Sequence, residues 1–270
     1  MKYIQIDFQK LSEEQKGIII ALLSEQGYDG FDETGEGLKA YIAAARFDEA
    51  ALHDVIAPFH LLFEKQIIEE TNWNQLWESN FEPVIVDNFA AIRAGFHDPI
   101  KSVEHEIVIT PKMSFGTGHH ATTYMMISEI RNLDLENKTV LDFGTGTGVL
   151  AILAEKRGAA KVLAVDNDDW SVANADENIL NNHCARVTVR KMDKPGEGES
   201  YDCILANINR NVLMDFMPQL AQQLLTGGCL VLSGLLTDDE ADILSRAGDF
   251  GLRLQKRMEK DNWLLLNLAP

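Results

Sequence analysis

Residues 140–150 read VLDFGTGTGVL, and this stretch decides the fold of the chain. The apolar, β-branched run 139–143 predicts a buried strand, and residues 149–157 predict a helix that Gly158 ends. Glycines at such a turn let the backbone approach a ligand, and the first helical turn presents free N–H groups. The stretch therefore predicts a ligand-binding turn between strand and helix, with glycines at three alternate positions, Gly144, Gly146 and Gly148.

Asp166 indicates what kind of ligand the turn binds. It follows a second predicted strand, residues 161–165, about 20 positions after the glycines. An acidic residue at that spacing suits bidentate capture of a ribose diol. Together the two strands, the turn and the carboxylate predict a βαβ unit that binds an adenosine-containing cofactor. An ordinary glycine-rich turn is the alternative for the glycines alone.

Asp142 and Val149 narrow the choice of cofactor. The dinucleotide fingerprint requires its third glycine at position 149, where this chain has Val149. Asp142, at the tip of the first strand, is expected to face the same crevice. A carboxylate there would repel a pyrophosphate and would suit a ligand that carries an ammonium and a sulfonium. The pattern resembles the first motif of the class I S-adenosylmethionine-dependent methyltransferases.

Composition limits the possible partners. The net charge of −18 argues against a nucleic-acid-binding surface and fits a basic protein partner, with solubility alone as the alternative. No apolar run approaches the roughly 18 residues that cross a bilayer, and the N-terminus lacks the apolar segment of a signal peptide. The three widely spaced cysteines form no metal-binding pattern and favour a reducing compartment. We therefore expect a cytoplasmic protein without a membrane segment or a metal.

The first 70 residues predict a small domain of their own. Strand-like and helix-like segments alternate in the β-α-β-β-α-β order of a ferredoxin-like fold. Ser12 is the expected N-cap of the first helix, with Gln15 at capping-box spacing, and Asp48 opens the second helix. The segment holds six basic and 14 acidic residues and no catalytic cluster. We expect a binding or orienting module, with a purely stabilising scaffold as the alternative.

Residues 71–82 predict a semi-rigid linker, and residues 83–270 predict the second domain. Trp73 and Trp77 fall on one face of a short helix in the linker. Strands and helices alternate through the rest of the chain, which predicts a mostly parallel, doubly wound sheet of seven strands. These strands are expected near residues 139–143, 161–165, 186–190, 202–206, 228–233, 252–258 and 263–268.

A second glycine-rich segment, 115–123, precedes the first and reads FGTGHHATT. A loop of this kind before a helix can fold over a ligand and offer backbone N–H groups. The alternative is a plain helix cap with its turn. His119 and His120 are adjacent and so cannot share a helix face as metal ligands. The cofactor-binding residues expected from this loop are Phe115, Gly116, Thr117 and Gly118.

Asn207 is the candidate for chemistry because it follows the strand 202–206. Ligands of doubly wound sheets bind outside the carboxyl ends of the strands. An amide oxygen there can accept a hydrogen bond from an amine and aim its lone pair at a methyl group. Many amine methyltransferases that act on nucleobases carry two prolines and an aromatic residue after this position. Ile208 and Asn209 stand there instead, which favours an aliphatic amine.

These elements together resemble the PrmA family, bacterial methyltransferases of large-subunit ribosomal protein eleven. Residues 111–123 are close to the family's hallmark run, and the similarity covers roughly residues 72–268. The first 70 residues match only in the order of elements, as the family's substrate-recognition domain. The pair Asn209-Arg210 departs from the family pattern at the amine site. The resemblance implies cofactor-binding positions at Thr123, Gly144, Asp166 and Asn207.

The resemblance also implies a reaction. The expected activity is transfer of methyl groups from S-adenosylmethionine to lysine side chains and an N-terminal amine of that basic ribosomal protein. Two alternatives keep the same cofactor site: a small-molecule amine methyltransferase and a non-catalytic adenosine-binding protein. A nicotinamide-dependent oxidoreductase would use the same βαβ unit, but Val149 and Asp142 argue against it.

Overall fold

A computed structural model of the chain describes residues 2–35, 37–59, 61–69, 81–112, 116–196 and 198–270. The chain separates into two compact units, Met1–Leu76 and Trp77–Pro270. The division falls inside the stretch 71–82 that the sequence predicts as a linker. The predicted linker helix around Trp73 and Trp77 lies outside the described residues.

The first unit has the ferredoxin-like order of elements that the sequence predicts. Its strands form one antiparallel sheet in the order β2-β3-β1-β4. Apolar side chains from one face of the sheet and from both helices form its core, including Ile6, Ile19 and Leu52. The elements are β1 (Lys2–Phe8), α1 (Glu13–Glu25), β2 (Gly30–Thr34), β3 (Gly37–Ala43), α2 (Glu49–Ile56) and β4 (Phe63–Glu69).

Local hydrogen bonds explain where both helices of this unit begin. Ser12 Oγ accepts from the Gln15 backbone N–H at 3.2 Å, and Gln15 Oε1 accepts from the Ser12 N–H at 3.0 Å. This reciprocal pair is the predicted capping box. Asp48 caps α2 by accepting from the Ala50 and Ala51 N–H groups. Both caps satisfy N–H groups that have no partner within a helix.

The second unit is a doubly wound α/β domain, which confirms the predicted fold class. Its sheet of seven strands has the order β10-β9-β8-β11-β12-β14-β13, and β14 alone runs antiparallel to its neighbours. The strands are β8 (Thr139–Phe143), β9 (Lys161–Asp166), β10 (Val187–Lys191), β11 (Tyr201–Asn207), β12 (Leu224–Leu236), β13 (Arg253–Lys260) and β14 (Trp263–Ala269). The helices are α3 (Ala121–Ile130), α4 (Val149–Lys156), α5 (Asp169–Asn181), α6 (Arg210–Gln222) and α7 (Glu240–Gly248).

A small additional sheet precedes α3. It consists of β5 (Val84–Val86), β6 (Ala90–Ala94) and β7 (His105–Ile109), in that order. Strand β7 pairs in parallel with β6 on one side. Its other side faces α5, and the side chain of Asn182, the C-cap of that helix, binds the backbone of Val108.

The register of the central strands assembles the candidate site. Phe143, the last residue of β8, pairs with Val165 of β9 and with Ala206 of β11. The next residue along each strand is therefore at the same edge of the sheet. These three residues are Gly144, Asp166 and Asn207. Across the described residues, no helix is long and apolar enough to cross a bilayer.

Candidate functional site

A cleft of about 500 Å³ opens at the carboxyl edge of the central sheet. Its volume lies in the range that small-molecule ligands occupy. Four of the residues that the sequence predicts as cofactor-binding line it: Gly144, Gly146, Asp166 and Asn207. The other lining residues are His120, Phe143, Asn167, Ser171, Met192, Asp193, Ile208, Asn209, Val212, Gly234 and Trp263.

Gly144 forms the floor of the cleft at the end of β8. Its φ of +80° lies in the left-handed region that favours glycine. A Cβ atom at this position would lie 2.1 Å from Cγ2 of Ile208, so the close approach of the two loops also requires glycine. The turn that follows β8, residues 144–148, is called the cofactor turn below.

Asp166 faces the cleft from the end of β9. Its Oδ2 accepts from the backbone N–H of Gly146 at 2.9 Å, and its Oδ1 accepts from that of Asp168 at 3.1 Å. These bonds fix the direction of the carboxylate. Because each carboxylate oxygen can accept more than one hydrogen bond, both oxygens keep capacity for a pair of ligand hydroxyls. The geometry therefore fits the ribose diol predicted from the sequence.

Asp142 is fully buried and is not among the residues that line the cleft, whereas the sequence led us to expect it to face the crevice. Its Oδ2 accepts from the Thr145 hydroxyl at 2.6 Å, beneath the cofactor turn. The difference arises because Asp142 is followed by Phe143 before the strand ends, so the turn closes over it. Burial raises the pKa of the Asp142 carboxyl to about 7, against an opposing effect of the Thr145 hydrogen bond.

Asp142→Asn is expected to weaken the pH dependence of stability between pH 6 and 8. The folded-state pKa lies above the ordinary value of 3.8, so this stabilising contribution is present at low pH and is lost as the pH rises through 7. Between pH 6 and 8, ionisation of this one carboxyl lowers the free energy of unfolding by about 1.4 kcal/mol. Urea unfolding of both proteins at the two pH values measures the difference. Equal losses in wild type and variant would contradict this role of Asp142.

Asn207 and Thr123 meet behind the cleft. The Asn207 side-chain Nδ2 donates to Thr123 Oγ1 at 3.3 Å, and Thr123 lies in the first turn of α3. Asn207 Oδ1 is buried and has no hydrogen-bond partner among the described residues. A buried acceptor without a partner is costly unless a ligand supplies the donor. The side chain is therefore suited to accept an N–H from a molecule in the cleft.

The second glycine loop, Gly116–Gly118, packs on the cofactor turn. The Gly116 carbonyl accepts from Thr147 Oγ1 at 2.9 Å. Thr117 Oγ1 lies 3.3 Å from His119 Nδ1, and a Cβ on Gly118 would lie 2.5 Å from Cδ1 of Ile92. None of the three is among the lining residues. Phe115, also predicted from this loop, lies outside the described residues.

The charge of the cleft suits a cation. Asp166 and Asp193 both line it. None of the lining residues that the structure describes is Lys or Arg. A pyrophosphate would meet carboxylates without a compensating cation, so the site does not fit a dinucleotide. A ligand with an adenosine moiety and positive charge fits better.

Three of the lining residues that the sequence did not indicate shape the walls of the cleft. Met192 follows β10 directly and gives the cleft an apolar wall. Trp263 is the first residue of β14 and packs edge-on against His120, with ring centroids 4.5 Å apart. Gly234 has φ +81°, and a Cβ there would lie 2.3 Å from the Ile208 carbonyl oxygen. A glycine inside a predicted strand indicates such a close approach and could have revealed Gly234.

Comparison with known proteins gives consistent results over the whole chain. The family model described as "Ribosomal protein L11 methyltransferase (PrmA)" matches residues 9–269. A ribosomal protein L11 methyltransferase of Phocaeicola vulgatus is 39% identical over 97% of this chain and 97% of its own length. One from Porphyromonas gingivalis is 36% identical over 100% of this chain and 98% of its own. The crystal structure of a ribosomal protein L11 methylase from Lactobacillus delbrueckii subsp. bulgaricus has a TM-score of 0.65 and 28% identity, and the match covers 70% of this chain and 98% of that one.

Proposed function

The chain belongs to the PrmA family of ribosomal protein L11 methyltransferases, and from this premise we propose that it methylates amine nitrogens of ribosomal protein L11. The methyl donor is S-adenosylmethionine. The observation that carries the proposal is the buried Asn207 Oδ1, which has no partner among the described residues and lies at the same edge of the sheet as Gly144 and Asp166. It supports a role for this oxygen in accepting a hydrogen bond from an amine beside the proposed adenosine site.

Asp166 is the proposed ribose ligand. Its two oxygens are already oriented by backbone N–H groups, so little reorganisation is needed when the hydroxyls bind. Asp193 can accept from the adenine amino group, and Met192 offers an apolar surface for the ring. Asp142 accepts from the Thr145 hydroxyl and so holds the cofactor turn from beneath. Together these residues favour a cofactor that carries positive charge.

Asn207 is the proposed positioning group for the attacking amine. When bound, S-adenosylmethionine supplies an electrophilic methyl group on a sulfonium. The amide oxygen accepts an amine N–H, which directs the nitrogen lone pair along the line of displacement. Holding the reacting atoms about 3–3.5 Å apart in this geometry accounts for much of the rate that such sites achieve. Asn207 has no titratable proton, so it orients the amine, and the proton leaves to solvent.

The acceptor amine must be neutral to attack the methyl group. An amine that enters the apolar part of the cleft is more easily deprotonated than one in water. A free lysine has a pKa of about 10.4, so it is protonated at neutral pH. Burial among Phe143, Ile208 and Val212 disfavours its charged form and lowers that pKa. We propose lysine side chains and the N-terminal α-amine of L11 as the acceptors, because both are aliphatic amines.

The first unit is proposed to bind the substrate. On the face of its sheet opposite the helices, strand register places Asp32, Lys39, Asp7 and Glu64 in one row. Three carboxylates and one ammonium give this row a net negative charge, which complements a basic ribosomal protein. Alternation along β1 explains the arrangement, because Ile6 and Phe8 point into the core while Asp7 points away.

Incubation of the purified chain with L11 and methyl-labelled S-adenosylmethionine tests the proposed function. Label should enter L11, and fragment mass spectrometry should place it on lysine side chains and the N-terminal amine. A parallel reaction with free amino acids and small amines serves as the control. Labelling of small amines instead of L11 would contradict the proposed substrate, and failure to bind the cofactor would contradict the reaction.

The double substitution Asp7→Asn, Asp32→Asn is expected to raise KM for L11 several-fold at low salt. It leaves the affinity for S-adenosylhomocysteine unchanged, because both residues lie in the first unit. Charges at a protein interface act mainly on association and are screened by salt, so the effect should shrink as salt is added. Steady-state kinetics at two salt concentrations measure it.

The matched control is Glu104→Gln, Asp215→Asn, which removes the same charge from exposed positions of the second unit. Equal increases in KM for the two double variants would indicate a general effect of net charge. That result would contradict the assignment of the row on the first unit as the docking surface.

A further inference from the structure

Three asparagines at intervals of four residues face β7, two of them in α5 and the third at its C-terminal cap. Asn174 and Asn178 are fully buried, and Asn182 follows one turn later. Their amides bind backbone groups of β7 and of Thr110, just beyond that strand. Asn182 Oδ1 accepts from Val108 N at 2.9 Å, and its Nδ2 donates to Val108 O at 2.6 Å. Asn174 Nδ2 donates to Thr110 O at 3.2 Å.

Asn178 differs from the other two because it also reaches the cofactor turn. Its Oδ1 accepts from Thr110 N at 2.8 Å, and its Nδ2 donates to Thr147 O at 2.8 Å. Thr147 in turn donates its hydroxyl to the Gly116 carbonyl at 2.9 Å. One unbroken chain of hydrogen bonds therefore runs from α5 through the cofactor turn to the second glycine loop.

Two of these bonds hold the second glycine loop, one ahead of it in sequence and one within it. Asn178 binds Thr110 before the loop, and Thr147 binds Gly116 within it. Helix α3 begins a few residues later, and its Thr123 accepts from Asn207. Asn178 thus helps to fix the distance between the cofactor turn and the second glycine loop, which leads into α3 and its contact with Asn207. Asn178 itself does not line the cleft.

We propose that Asn178 is a positioning residue, which fixes the cofactor turn against the second glycine loop in the geometry that binds the cofactor. This role rests on the proposed function, because the test measures how tightly the chain binds the cofactor product S-adenosylhomocysteine. Asn178 is buried and makes no contact with solvent. Loss of its donor leaves the Thr147 carbonyl without that partner, so the turn can shift. Glu177, which accepts from Thr110 Oγ1 at 2.6 Å, still holds the start of the loop.

Asn178→Asp and Asn182→Asp in the full-length chain test this role as a matched pair. Each variant keeps an oxygen acceptor for a backbone N–H and loses its amide donor, which binds the Thr147 carbonyl in Asn178 and the Val108 and Asn178 carbonyls in Asn182. Only Asn178 reaches the cofactor turn. We expect both variants to lower Tm. Asn178→Asp alone is expected to raise the Kd for S-adenosylhomocysteine, measured by titration calorimetry, about tenfold. Asn182→Asp is expected to stay within about twofold of wild type.

Thr147→Val and Thr147→Ser provide a second test if Asn178→Asp does not fold. Valine keeps the shape of the side chain and removes the hydroxyl bond to Gly116, whereas serine keeps that bond. A raised Kd in the valine variant that serine restores supports the proposal. An unchanged Kd in Thr147→Val, an unchanged Kd in Asn178→Asp, or equal increases in Asn178→Asp and Asn182→Asp would overturn it. If the wild-type chain binds no S-adenosylhomocysteine, the proposed function itself fails. If the wild type binds it and the variants bind equally well, only the positioning role of Asn178 fails.

Discussion

Asn207→Ala is expected to lower the turnover number for methyl transfer about 100-fold or more, with a smaller loss of cofactor affinity. The substitution removes the buried Oδ1 that has no partner among the described residues, and it also removes the donor to Thr123. A group that acts mainly in the transition state affects turnover more than ground-state binding. Single-turnover kinetics with L11 and calorimetry with S-adenosylhomocysteine separate the two effects.

Asn209→Ala is the matched control for this prediction. Asn209 also lines the cleft, but its Oδ1 caps α6 by accepting from Val212 N at 3.1 Å. Its loss should cost about 0.5–2 kcal/mol of stability and leave the rate of methyl transfer near normal. Asn207→Asp should be milder than alanine because it keeps the acceptor. Normal transfer in Asn207→Ala, or an equal loss in Asn209→Ala, would exclude Asn207 as the positioning group.

Asp166→Ala is expected to weaken cofactor binding about ten- to a hundredfold. Hydrogen bonds to a charged group contribute about 1.5–3 kcal/mol, and about 1.4 kcal/mol corresponds to a tenfold change in Kd. The substitution also removes the acceptor that holds the Gly146 N–H at 2.9 Å. Calorimetric titration with S-adenosylhomocysteine measures the affinity, and circular dichroism verifies that the variant is folded.

Asp168→Ala serves as the control for Asp166. Asp168 is only two residues away and caps α5 by accepting from Ser171 N at 2.9 Å, but it does not line the cleft. Its loss should lower Tm and leave the affinity unchanged. A folded Asp166→Ala protein with wild-type affinity would mean that another group binds the ribose.

The sequence predicted the order and type of the elements in both units because local signals agree with the fold. Ser12 with Gln15 and Asp48 mark helix starts through bonds to their own backbone, which need no information from distant residues. The strands of the central sheet are apolar runs between turns, so their positions also follow from the chain itself. The parallel register then brings Gly144 and Asp166 to one edge.

The direction of a strand and the burial of a side chain beneath a turn could not be predicted from such local signals. Trp263 reaches the cleft because β14 runs antiparallel, so the start of this strand lies where the parallel strands end. Nothing in the residues 263–268 specifies that direction. Asp142 is buried because the cofactor turn closes above it, and this depth depends on contacts with other segments. Asn174, Asn178 and Asn182 likewise gave no signal, since their partners outside α5 are 31 to 74 residues away in sequence.

The amides along β7 also bear on self-association. The outermost strand of a sheet exposes backbone groups that can pair with another molecule, and this pairing is a common start of aggregation. In this chain Asn178 and Asn182 occupy the N–H groups of Thr110 and Val108 on that side. Neutral amide side chains from the neighbouring helix and its C-terminal cap thus occupy the N–H groups on this side of β7. We therefore expect Asn178 and Asn182 to limit self-association through this strand at high protein concentration.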